Sequence, residues 1–249
     1  MINISDIHKV FNSGKPNQVN AVNGITLDIK DEEFLMIVGS NGSGKTTLLD
    51  MVAGSVLPTS GSISIAGDDV TRMRDYQRSK WIARVFQNPL SGTASELSIL
   101  DNFRLAAIRT RHKGLGIGIN DTFKNQVKEK ISTLGLGLEN KINQQMGTLS
   151  GGQRQALTLL MSVMDSCKVL LLDEPTAALD PRSADVVMRT ADELIKDYRL
   201  TSILITHNLK DAFTYGNRII LMGEGQIQKD IDAKHKKSLK QSDLFDWFS

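Results

Sequence analysis

An α/β fold with a helical insert is predicted by three features of this 249-residue chain. Phe34-Leu35-Met36-Ile37-Val38 is wholly apolar, as a strand covered on both faces of a parallel sheet requires, and it runs straight into the glycine-rich loop Gly39-Ser40-Asn41-Gly42-Ser43-Gly44-Lys45-Thr46. Residues 169–172 and 202–206 read as two further strands, with a helix from about Pro181 to Asp197 between them, a strand-helix-strand unit of parallel type. Between 88 and about 166 the spacing of apolar residues changes from strand-like to helical.

Ahead of the loop, Ile2–Phe11 and 25–29 are rich in Ile, Val and Phe and are separated by Gly, Asn and charged residues, so both are expected to be strands. A helix should open at Gly44 or Lys45. Pro58-Thr59-Ser60-Gly61 marks a turn, 62–65 alternates Ser and Ile like a half-buried strand, and 81–86 reads as another strand. In the insert, Ile99, Phe103 and Ala106 or Ala107 share one helix face and Val127, Ile131 and Leu134 share another, with Gly114, Gly116, Gly118, Gly135 and Gly137 as punctuation. From Lys234 the tail is first basic and then ends in Leu244, Phe245, Trp247 and Phe248, which suggests a packed terminal helix, with Lys236-Lys237 on a solvated face.

The longest apolar runs, 34–38, 169–172 and 203–205, are far short of the roughly 20 residues that cross a bilayer. Met1-Ile2-Asn3-Ile4-Ser5-Asp6 lacks the basic and apolar regions of a secretory leader, so residence in the cytoplasm is expected. Cys167 is the only cysteine, which excludes an intramolecular disulfide; it reads as a small residue before a buried strand. A net charge of +2 is too small to argue for nucleic acid. His8, His112 and His235 show no metal-ligand spacing, and no zinc site is expected.

A triphosphate is a dense anion, best held by backbone N–H groups converging at a helix N-terminus, and glycines let the chain approach closely enough. In the 39–46 loop, Lys45 is expected to reach the β- and γ-phosphates and the Thr46 hydroxyl to ligate Mg²⁺. Asp173 and Glu174 end the apolar 169–172 strand at the carboxyl edge of the sheet, where open α/β folds bind ligands. Asp173 then serves as the Mg²⁺ carboxylate, and Glu174, without a metal bond, orients or deprotonates the attacking water.

The loop alone is common to kinases, GTPases and helicases. With Leu149-Ser150-Gly151-Gly152-Gln153 placed one helix length before the Asp173-Glu174 strand, however, the chain resembles the ATP-binding subunit of an ABC transporter, from about residue 2 to 228. That resemblance implies a P-loop NTPase core with a mainly parallel sheet, an N-terminal antiparallel β subdomain and an inserted α-helical subdomain. The implied division is core at 1–87 and 167–233, helical lobe at 88–166 and terminal helix at 234–249.

It also assigns roles. Phe11 stands where the family stacks an aromatic, usually tyrosine, on adenine. Thr47 joins the 39–46 loop in the nucleotide-binding set. Gln87 links Mg²⁺ and water to the helical lobe, giving a cation set of Thr46, Gln87 and Asp173. His207 contacts the γ-phosphate and completes the catalytic set with Glu174 and Gln87. Ala178-Leu179-Asp180 crosses between subunits. Ser150, Gly151, Gly152 and Gln153 open a helix whose N–H groups close over ATP held by a partner, so two copies sandwich two nucleotides.

The implied cofactors are ATP and Mg²⁺, and the implied partners are a second ATPase subunit, membrane permease subunits and an extracytoplasmic solute-binding protein. Residues 148–161 are most similar to bacterial uptake systems for amino-acid-like solutes, which places the chain on the inner face of the cell membrane. Lipid or lipoprotein export and a soluble ABC ATPase of DNA repair or translation are the alternatives. Three positions depart from the family: Ala156 and Met161 replace common arginines, and Glu32 replaces a common turn glycine.

Overall fold

The computed structural model describes residues 1–110, 118–240 and 243. Two long strands, β1 (Ile2–Phe11) and β2 (Val19–Ile29), open the chain, followed by β3 (Phe34–Val38), α1 (Lys45–Ala53), β4 (Ser60–Ile65), the two-residue β5 (Asp68–Asp69), α2 (Asp75–Arg78) and β6 (Ile82–Val85). The helical stretch contributes α3 (Ile99–Ala107), α4 (Asp121–Ser132) and α5 (Gly151–Ser162). Then come β7 (Val169–Asp173), α6 (Pro181–Asp197), β8 (Thr201–Ile205), α7 (Leu209–Thr214), β9 (Arg218–Gly223), β10 (Gln226–Ile231) and α8 (Ala233–Lys236). None of the described helices is long and apolar enough to cross a membrane.

The strands form an antiparallel sheet ordered β2-β1-β4-β5 and a six-stranded sheet ordered β10-β9-β3-β8-β7-β6. The second sheet is parallel except where β10 meets β9. The expected α/β architecture is therefore present, with a mainly parallel core, an N-terminal antiparallel sheet and helices between β6 and β7.

The central strand β3 is buried at every residue, and its alternation divides the interior. Phe34, Met36 and Val38 join a core built with α3, α4, α5 and α6, whereas Leu35 and Ile37 face a second core shared with α1 and the antiparallel sheet. The neighbouring strands obey the same rule: Leu170 and Leu172 face the first core, Val169 and Leu171 the second. In β6, Ala83 and Val85 go with the first core and Ile82 with the second, so position 84 emerges on the α1 side.

The structure differs from expectation in several places. β2 begins at Val19, six residues before the apolar run, because pairing with β1 down to Phe11↔Val19 carries the strand through Asn20, Asn23 and Gly24. No strand was expected at 218–231, yet β9 lies beside β3 and fills one side of the sheet. Glu32, at φ 61°, occupies the left-handed conformation that a turn glycine serves, and its carboxylate pairs with Arg199 at 2.7 Å. His112, Gly114 and Gly116 of the sequence reading lie outside the described residues.

The end of the chain needs a correction. Helix α8 spans only Ala233–Lys236, residues 237–240 are not helical, and the apolar end at 244–248 lies outside the described residues. Lys236 is not on a solvated face. Its Nζ donates to the carbonyls of Ala212 at 2.8 Å and Gly216 at 2.9 Å and also to that of Tyr215, closing the carboxyl end of α7. Burial among those carbonyls pulls its pKa down to about 8. Lys237 remains exposed.

A fully buried cation closes α1. Arg78 is fully buried; its Nη1 donates to the carbonyls of Met51 and Val52, both at 2.7 Å, and its Nε to that of Met73 at 3.0 Å. The last carbonyls of a helix have no partners within it, so a guanidinium fork supplies several at once. Burial costs the charge and lowers its pKa to about 10. Arg78→Met should leave those carbonyls unpaired and destabilise the fold by ~3 kcal/mol, read as an earlier urea midpoint with unchanged slope. A midpoint equal to wild type would show that the carbonyls find other partners.

Candidate functional site

The 39–46 loop leaves the carboxyl end of β3 between β8 and β9, at the rim where loops of the parallel strands converge. Gly44 precedes α1 with φ 96°, and a Cβ there would lie 2.3 Å from the carbonyl oxygen of Ala21, so both conformation and space demand glycine. No side chain caps α1, and its first N–H groups are thereby available to an anion. Lys45 Nζ donates back to the carbonyls of Gly39 at 2.8 Å and Ser40 at 2.9 Å. Burial lowers its pKa, while Glu174 and Asp173 pull it upward.

This loop forms one wall of an open cleft of about 460 Å³ lined by Asn41, Gly42, Ser43, Gly44, Lys45, Thr46 and Thr47, with Glu174 on the floor and Phe11, Val19, Asn20 and Ala21 opposite. Its size suits a small organic ligand. Phe11 ends β1 with 37% of its surface exposed, and the Lys9 ammonium lies 4.9 Å from the ring centre. The exposed ring thus presents an apolar face at the rim of the cleft.

Glu174 follows β7 with φ 43°, a conformation uncommon for a residue other than glycine and costly enough that surrounding contacts must hold it. Its N–H donates to the Ile205 carbonyl at 3.0 Å, and its Oε2 lies 3.2 Å from Nδ1 of His207. The β7–β8 ladder, with Asp173 opposite Ile205, brings these two strand ends together. Asp173 is buried, and its Oδ2 accepts from Arg84 Nη2 at 3.0 Å. Burial raises the Asp173 pKa and the Arg84 charge opposes that rise.

The donors that the sequence suggests for a cation are the Thr46 hydroxyl, the Asp173 carboxylate and the Gln87 amide, all hard oxygens of the kind Mg²⁺ takes together with substrate phosphates. Among the described residues no group of three or more His, Cys, Asp and Glu side chains is placed to hold a metal by itself. One carboxylate and one hydroxyl beside a phosphate loop fit Mg²⁺ arriving with a nucleotide. Gln87 lies exposed just beyond β6, and the carbonyl of the preceding Phe86 accepts from Gln155 Nε2 of α5 at 2.9 Å.

Ser150 caps α5: its Oγ accepts from the Gln153 N–H at 3.3 Å, and Gln153 Oε1 accepts from the Ser150 N–H at 3.1 Å. Gly152 is required by packing, since a Cβ there would come within 2.4 Å of the Ser183 Cβ on α6. Asp180 caps α6 by accepting from the N–H groups of Ser183 and Arg182 at 3.0 and 3.1 Å. Those bonds hold its carboxyl below the usual range.

The structure thus brings Phe11, residues 41–47 and Glu174 to one cleft, with His207 joined to it only through Glu174, while Asp173 and Gln87 do not line it. Ser150, Gly151, Gly152, Gln153 and Asp180 do not line that cleft. Ala156 and Met161 are buried in the apolar core, where the family's arginines have no counterpart. Sequence reasoning missed Arg84 and Gln155; the available signal was a charged residue and an amide inside otherwise apolar elements.

Comparison with known proteins agrees with this geometry. The family described as "ABC transporter" matches residues 22–177. The tyrosine transport ATP-binding protein of Clostridioides difficile is 35% identical, over 100% of this chain and 98% of its own length. The energy-coupling factor transporter ATP-binding protein EcfA2 of Clostridium perfringens is 30% identical, over 92% of this chain and 79% of its own. Among solved structures, a dimeric bacterial ABC transporter cassette superposes with a TM-score of 0.80 at 26% identity, covering 94% of this chain and 99% of that one. A post-hydrolysis dimer bound to ADP and phosphate gives a TM-score of 0.79 at the same identity, with the same shares covered. The chain belongs to the ABC transporter family, as an ATP-binding, ATP-hydrolysing subunit.

Proposed function

We propose that two copies of this chain close on two ATP molecules, each cleft built by the 39–47 loop of one copy and covered by Ser150, Gly151 and Gly152 of the other, with Asp180 at the crossing between them. The observation that carries this reading is that Ser150 and Gly151, at the α5 N-terminus, are exposed and line no part of the chain's own cleft. A helix N-terminus attracts anions, and in a second copy it has the γ-phosphate to meet.

Phe11 stacks on the base, the N–H groups of 41–46 cradle the phosphates, and Lys45 exchanges its loop carbonyls for the β- and γ-oxygens. Thr46, Asp173 and Gln87 would hold Mg²⁺, which would neutralise the developing phosphate charge. Glu174 accepts a proton from water as the water oxygen bonds to the γ-phosphorus and the β–γ bridge breaks, releasing ADP and phosphate. His207, held by Glu174 through Nδ1, offers its other nitrogen to the γ-phosphate. The binding of ATP favours the closed pair and loss of products favours the open one.

Gln87 and the segment up to Ile99 join the cleft to the helical lobe, the path by which closure reaches membrane permease subunits. We assign the cargo to amino-acid-like solutes taken up with an extracytoplasmic binding protein, a reading supported by the relative named for tyrosine transport. The chain then works at the inner face of the cell membrane.

Glu174→Gln should keep ATP affinity, lower turnover by about 10²–10⁴-fold and accumulate as an ATP-dependent dimer in size-exclusion chromatography. Wild-type turnover in that variant rejects Glu174 as the base. Lys45→Ala should weaken ATP binding by about 10–100-fold, measured by titration calorimetry. Undiminished affinity would contradict its phosphate role.

A further inference from the structure

Arg84 touches, through one planar group, each of the three segments that bear the proposed cation ligands. Strand alternation sends it from β6 toward α1, on the same face as Asp173 two residues beyond Leu171, with Arg84 and Leu171 in register. Nη1 donates to Asp50 Oδ1 at 2.7 Å, and Asp50 lies on α1 one turn after Thr46. Nη2 donates to Asp173 Oδ2 at 3.0 Å. The guanidinium also lies 4.7 Å from the centre of the Phe86 ring, the residue directly before Gln87.

These contacts are sheltered. The side chains of Arg84, Asp173 and Asp50 retain 12%, 9% and 24% of their exposure, so solvent screens the charges little. The Nε of Arg84 is buried without a hydrogen-bond partner. An orphaned buried donor disfavours this location, and the Nη bonds to Asp50, Asp173 and, at 3.3 Å, the Ser55 hydroxyl compensate for it. The planar fork offers each carboxylate its own nitrogen at a fixed spacing, which the single ammonium of lysine does not reproduce.

We propose that Arg84 is the positioning residue of the cation site: it binds neither nucleotide nor metal, but fixes the Asp173 carboxylate relative to the helix that carries Thr46 and the strand end that carries Gln87. The inference rests on the cation assignment made above. Partners that orient a metal ligand contribute about 10–100-fold to metal affinity, and Arg84 does so for two segments at once.

The test is equilibrium binding of ATP, first in EDTA and then across a MgCl₂ titration, for wild type, Arg84→Met and Arg84→Lys. Arg84→Met should bind ATP in EDTA within about twofold of wild type and require about tenfold more Mg²⁺ for its half-maximal gain in affinity. Arg84→Lys, which keeps the charge and one contact, should fall between, and decides by the same comparison should Arg84→Met not fold. An unchanged Mg²⁺ midpoint in the variants overturns the proposal, as does an equal loss of affinity with and without Mg²⁺, which marks a merely structural arginine. If wild type gains no affinity from Mg²⁺, the cation assignment itself falls and this inference with it; a wild-type gain that the variants keep whole removes this inference alone.

Discussion

Holding a triphosphate through backbone N–H groups is the constraint on which this structure depends. Such groups converge only where a glycine-rich turn joins a strand to a helix N-terminus, and the turn keeps its shape only if both flanking elements are immobile. Here β3 is buried on both faces between β8 and β9, and α1 is pressed on the second core by Leu48, Leu49 and Val52. Arg78 completes the far end of the same helix, so α1 is open to anions at one terminus and satisfied by a cation at the other.

The rest of the cleft follows from strand order. Because β7 and β8 lie side by side on one flank of β3, their carboxyl ends deliver Asp173, Glu174 and His207 to the loop without any long excursion of the chain. The left-handed backbone at Glu174 turns its carboxylate out of the sheet and toward the cleft, and the Ile205 carbonyl and His207 hold it there. Asp173, one residue earlier, keeps strand geometry and therefore faces α1, where Arg84 and Asp50 meet it. One residue separates two carboxylates of opposite surroundings, one half-open to the ligand and one buried against a guanidinium. That difference in environment, not in residue type, is what lets adjacent acids serve different ends.

Polar links between the helical lobe and the core include Gln155 Nε2 to the Phe86 carbonyl and Lys130 Nζ to the Tyr198 hydroxyl. Gln155 ties α5 to the backbone just before Gln87, and Gly152 lets α5 approach α6 near Asp180. With Ala156 and Met161 in the apolar core, the lobe is held chiefly by burial of side chains. Packing that is apolar and non-directional allows small sliding of helices more readily than a network of arginine bonds does.

By itself the sequence determined β1, β3 and α6 to the residue or nearly so, along with the start of α1, the glycine-rich loop and the acidic pair, because each is written in a local run: continuous aliphatics for a strand covered twice, glycine spacing for the loop, a helical period for α6. Strands β2 and β9 were poorly legible since partners in the sheet, not composition, fix their extent. Tertiary structure alone decided what surrounds Asp173: Arg84 lies 89 residues from it and 34 from Asp50, and no local pattern records such distances. It alone decided too that Lys236 closes α7 and that Ser150 at the start of α5 does not line the cleft of its own chain. Local periodicity selects which face of an element is apolar; only the packing of elements selects which charges that face must meet.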